Sequence, residues 1–164
     1  MINLKSLIVF IAVVSAIAFS SCKKDKKTVA ASGSLTATID GKAASFSTHT
    51  TVLTGTENNS NFTTIQGNAS NGSTMSITIY GALTQGATFT SNDPDPGNEP
   101  VLLYISGSDD YTNETSNPSV TVMITAVSSS SIQGTFSGTL TDIATGANQG
   151  KTTVIASGKF NVPR

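Results

Sequence analysis

From Ser34 to the C-terminus apolar side chains return at every second position, and no stretch repeats them at the three-to-four spacing of a helix face. Leu35, Ala37 and Ile39 alternate with Thr36, Thr38 and Asp40, which predicts a strand with one packed face. Asp40-Gly41 then supplies the positive φ of a tight hairpin, and Ala44 and Phe46 return on the apolar side. A further strand over Thr48 to Thr54 is closed by Gly55 and the Glu57-Asn58-Asn59-Ser60 loop. Phe62 to Ala69 and Thr74 to Tyr80 flank Asn71-Gly72, the strongest hairpin signal in the chain.

A short strand near Ala87 to Thr90 runs into a loop from Asn92 to Pro100, whose three prolines remove backbone donors. Val101 to Ile105 predicts a compact strand, Asp109 to Ser119 a polar loop, and Val120 to Val127 a strand with Val120, Val122, Ile124 and Ala126 on one side. Two long strands complete the chain. Ile132, Phe136 and Leu140 share parity with Gly134 and Gly138 in the first, and Val154, Ala156, Gly158, Phe160 and Val162 share it in the second. Their glycines point to bulges or close backbone approach. The expected fold class is therefore all-β, an antiparallel sandwich of roughly nine strands, with a closed or partly open up-and-down barrel as the alternative.

The first 21 residues have another character. Lys5 gives a positive start, Leu7 to Phe19 an apolar run of roughly thirteen residues, and Ser20-Ser21 small side chains before Cys22, the only cysteine. The run is short of the about twenty residues a membrane-crossing helix needs. It reads as a cleaved signal, and a small residue directly before a lone cysteine resembles the lipobox of bacterial lipoproteins, with Phe19 where leucine is usual. Cys22 is then the acylated first residue, a palmitate-bearing anchor, which also removes a thiol that an exported chain would otherwise leave free. Residues 1–21 are the signal, 22–33 a flexible basic tether and 34–164 one β domain.

Charge follows the same division. Lys23, Lys24, Lys26 and Lys27 face only Asp25 in the tether, whereas Lys42, Lys151, Lys159 and Arg164 face nine acids in the domain. An acidic domain offers no basic surface to phosphates, so a nucleic-acid partner is excluded. The expected partner is the membrane, through the anchor.

Three stretches carry a family resemblance: Leu35-Thr36-Ala37-Thr38-Ile39-Asp40-Gly41-Lys42, Ile132-Gln133-Gly134-Thr135-Phe136-Ser137-Gly138-Thr139-Leu140, and Ser157-Gly158-Lys159-Phe160-Asn161-Val162. With the Cys22-Lys23-Lys24-Asp25 start, they resemble small lipoproteins of Bacteroidota that carry a domain of unknown function. The resemblance implies an outer-membrane lipoprotein and no known activity. Surface-exported lipoproteins of that group carry an acidic cluster after the cysteine, so the lysines here imply a periplasm-facing domain.

Candidate chemistry is sparse. His49 is the only histidine, which leaves a nucleophile without a base and zinc without its usual imidazoles. It reads as a polar-face residue of a strand. Asp109-Asp110 is a carboxylate pair in an expected loop, with nothing apolar nearby to raise one carboxyl for acid catalysis. Asp93-x-Asp95-x-Gly97-x-Glu99 faintly resembles a calcium loop but lacks its length, and Pro94 and Pro96 account for it as turns. Tyr80, Tyr104 and Tyr111 are amphipathic rings that suit sugar faces or cap a sheet. No catalytic residue, cofactor or resident metal is expected. Two functional classes remain: a non-catalytic accessory or structural protein of the envelope, which is the expected role, and, as the alternative, a membrane-anchored binding module for a glycan, peptide or protein. A concave pocket lined by Tyr111, Asp109 and the 92–99 segment would favour the second.

Overall fold

The computed structural model describes residues 27–31, 33–57, 60–92, 98–115, 119–144 and 149–164, so the signal, Cys22, Asp93 and Asp95 lie outside the described residues. Twelve strands occur among the described residues and no helix does, which bears out the all-β expectation. In chain order they are β1 (Lys27–Ala31), β2 (Ser34–Ile39), β3 (Lys42–Ser45), β4 (His49–Glu57), β5 (Ser60–Asn68) and β6 (Thr74–Tyr80). There follow β7 (Thr88–Thr90), β8 (Val101–Ser106), β9 (Asp109–Thr112), β10 (Ser119–Val127), β11 (Ser131–Asp142) and β12 (Thr152–Pro163).

Hydrogen bonding runs without a break through β1, β4, β5, β6, β8, β9, β11, β12, β2 and β3, all antiparallel. The two ends of this path belong to one hairpin. Pairs Lys27↔Thr54 through Ala31↔Thr50 and Thr36↔Ser45 through Ile39↔Lys42 lie on a single register, and the bond from Phe46 N to Leu35 O continues it. The segment β1–β2 is thus one long arm and β3–β4 the other. One arm borders β12 and the other borders β5, which draws the sheet round into a half-barrel. This is the partly open barrel of the two expected arrangements, in place of two separate stacked sheets. Strand β10 leaves the path at β11 and carries β7 on its outer edge.

Three local expectations change. Lys27–Ala31, expected as flexible tether, is a strand on β4, so the described fold begins before residue 34. Asp109–Thr112, expected as loop, is β9. Gly107, at φ 66°, opens a two-residue turn with Ser108 that folds it back on β8. The packed face of β12 switches sides: Thr153 and Ile155 are buried while Val154 is 50% exposed, and beyond Ser157 the buried set becomes Gly158, Phe160 and Val162. Ser157, at φ 51°, is the extra residue of a bulge against both β11 and β2. An inserted residue reverses which side alternate positions face.

Inward positions of the curled sheet form one core, with Leu35, Ile65, Ile77, Leu102, Ile124 and Leu140 fully buried. Phe136 and Phe160 stack with ring centroids 6.5 Å apart, over glycines. A Cβ on Gly158 would lie 2.5 Å from Phe136 O and 2.7 Å from its ring, so only glycine admits that ring. Because strands alternate direction, the turns at 40–41, 69–73 and 107–108, the end of β11 and the start of β12 gather at one end of the sheet. The beginning of β1, the β10–β11 turn and the C-terminus gather at the other.

Candidate functional site

The hairpin end of the sheet carries an open cavity of about 500 Å³. Its geometry begins with the turn Asp40-Gly41, both residues at positive φ (47° and 80°), the conformation a two-residue hairpin needs. Asp40 fastens that turn to β12. Its Oδ2 accepts the Thr153 hydroxyl at 2.8 Å, its Oδ1 accepts the Val154 N–H at 2.8 Å, and its own N–H donates to Val154 O at 3.0 Å. Across the mouth, Asn71 Oδ1 accepts the Ser73 N–H, and Ser73 Oγ donates to Ser106 Oγ at 3.3 Å, tying the β5–β6 turn to the end of β8.

Tyr104 and Tyr111 form one wall. They sit directly opposite each other on β8 and β9, and their rings stack at 5.9 Å and 24°. Phe46 meets Tyr104 edge-on at 6.0 Å and 80°, which fixes the inner ring against the core. The rim carries Asp40, Lys42 and Asp109. Behind Tyr111, paired across the ladder, lies Asp142, only 2% exposed. Its Oδ1 accepts the N–H groups of Asp110 and Ala144, while its Oδ2 is buried without a hydrogen-bond partner. Burial, then the Asp109, Asp142 and Asp40 carboxylates and the Tyr104 phenol, push the Tyr111 phenol above its ordinary value near 10.

The sequence candidates separate in space. Tyr111 and Asp109 line the cavity as expected, joined by Tyr104, but Asn92, Asn98 and Glu99, the described residues of the 92–99 segment, do not line it. Asp109 and Asp110 are successive strand residues and face opposite sides, so they do not form a facing carboxylate pair. Glu99 lies toward the far end, in a shallow recess of about 330 Å³ with Tyr80, Pro100, Asn113 and Glu114. There burial, then Glu57 and Glu114, raise the Tyr80 phenol. Of the calcium candidates only Glu99 is described, and among the described residues no group of three His, Cys, Asp or Glu is placed to hold a metal. His49 is exposed on β4 and lines neither the hairpin-end cavity, nor the Glu99 recess, nor the cavity of about 460 Å³ beside Thr54, Phe62 and Arg164 at the opposite end.

Sequence reasoning passed over Asp40, Lys42, Asn71 and Asp142 as site residues. The signal was present in the order of the turns: Asp40-Gly41, Asn71-Gly72 and Gly107-Ser108 close successive hairpins on the same end of an up-and-down sheet. Asn113, expected in a loop, is a buried staple, donating to Pro100 O at 2.8 Å and accepting the Leu102 N–H at 2.7 Å. Comparison with protein-family models, with characterised proteins and with solved structures finds no match to this chain.

Proposed function

We propose that this chain is a lipoprotein of the outer membrane, anchored through an acylated Cys22 and facing the periplasm, whose β domain is a binding module and not a catalyst. One observation carries the reading: the cavity walled by Tyr104 and Tyr111 opens at the end of the sheet opposite the start of β1, the strand through which the chain arrives from Cys22. An anchored receptor needs its pocket directed away from the surface that holds it. A purely structural role asks for no such cavity. Catalysis gains no support, since the hydroxyl–carboxylate contact in the cavity, Thr153 on Asp40, is the clamp that holds the turn to β12. Asp40 accepts hydrogen bonds at both oxygens, and Asp110 faces away.

The test is a fragment screen of mixed chemistry on the full chain in detergent, read on the ring resonances of Tyr104 and Tyr111. Ala44 lines the cavity, so Ala44→Trp should fill it. Fragments that move both rings in the native chain and neither in the variant support the binding module. A screen that moves neither ring overturns it in favour of a structural role.

A further inference from the structure

We infer that the cavity between Asp40-Gly41 and the tyrosine pair takes a neutral, hydroxyl-rich ring, a saccharide; this rests on the reading of the domain as a binding module. The volume, about 500 Å³, lies within the range of small-ligand pockets, but the walls differ from an apolar slot. Besides the two tyrosines, the lining includes Lys42, Asn71, Ser106 and Asp109, which carry an ammonium, an amide, a hydroxyl and a carboxylate. Donors and acceptors are therefore mixed at close range. A sugar hydroxyl both donates and accepts, so vicinal hydroxyls can use both kinds. A phosphate or sulfate only accepts and an ammonium only donates, and either matches only part of this set.

Charge narrows the class further. Asp40, Asp109 and the buried Asp142 surround Tyr111 with negative potential that opposes an anionic ligand. Lys42, on the same rim, opposes a cation. The aromatic wall then favours the C–H face of a pyranose ring, and Tyr104 is held by Phe46 and Tyr111 before any ligand arrives, so little ordering accompanies binding.

The experiment titrates the full chain in detergent with glucose, mannose and N-acetylglucosamine. Glucuronate and glucose 6-phosphate serve as anionic probes, choline and spermine as cationic ones, and the readout is again the Tyr104 and Tyr111 ring resonances. Expected is saturable movement of both rings by at least one neutral sugar, with the anionic sugars about tenfold weaker or more. Tyr111→Ala should weaken binding about tenfold, equivalent to about 1.4 kcal/mol, and Tyr111→Phe, which keeps the ring, far less. Cations or anions that move the rings while neutral sugars do not would overturn the saccharide and leave the binding module standing. Silence from every probe, with silence in the fragment screen, would remove both.

Discussion

Asp40 carries more of the site than its exposed position suggests, because its carboxylate holds β12 at two points while its own backbone sits at positive φ. Asparagine tolerates that conformation and keeps one acceptor, glycine keeps the conformation alone, and alanine keeps neither. Chemical denaturation should therefore rank Asp40→Asn above Asp40→Gly above Asp40→Ala, the last losing about 2 kcal/mol. An equal loss in all three would show that the clamp is immaterial. The tyrosines give a pH signature. Both Tyr80 and Tyr111 titrate above the ordinary phenol value near 10 in the fold, so from that value upward the unfolded chain releases protons that the folded chain still holds. Stability is whole below pH 10 and falls as pH rises through the folded values, and Tyr80→Phe with Tyr111→Phe should flatten that fall in alkaline melts. Both residues were visible in the sequence as amphipathic rings. Their separation to opposite ends was not, because it depends on which hairpin each occupies.

At the level of elements, alternation and turn chemistry made most strands readable: Leu35-x-Ala37-x-Ile39 is β2, and the hairpin at Asn71-Gly72 joins β5 to β6, though through a wider loop over 69–73 in which Gly72 alone has positive φ. What failed had a physical cause in each case. Strand β9 is built from Asp-Asp-Tyr-Thr, whose carboxylates mask a strand that pairing with β8 and β11 imposes. Strand β12 changes face at Ser157, and no periodicity rule anticipates a bulge. Strand β1 follows a lysine-rich run and reads as tether, yet its backbone continues the register of the Asp40-Gly41 hairpin. That continuity yields a test by truncation. A chain starting at residue 27 should unfold with the stability of the longer form. One starting at residue 32 should lose about 1–2 kcal/mol, the net of a short ladder against the entropy of ordering it. Hydrogen exchange should then quicken at the β4 amides that face β1 and stay slow at those that face β5. Equal exchange in the two chains would return Lys27–Ala31 to the tether.

For the whole molecule, the useful fact is polarity from end to end. Strands β11 and β12 each run twelve residues, about 40 Å at 3.3 Å per residue, and the tilt of barrel strands shortens this to roughly 30 Å along the axis. The cavity and the start of β1 lie at opposite ends of that span, so an anchor at Cys22 would hold the β10–β11 turn near the bilayer and the β8–β9 turn away from it. Ser130 marks the first turn, bonded through its carbonyl to the Arg164 N–H, and Ser108 marks the second. A small fluorophore at either position of the acylated full chain, reconstituted with lipids that carry a head-group quencher, reads the distance directly. Strong quenching at 130 and little at 108 is expected, and Cys22→Ala should abolish quenching at both and move the chain out of the membrane fraction. The reverse order at the two turns would place the tyrosine pocket against the lipid, where a soluble saccharide has no approach, and would refute the receptor arrangement even if the anchor itself proved real.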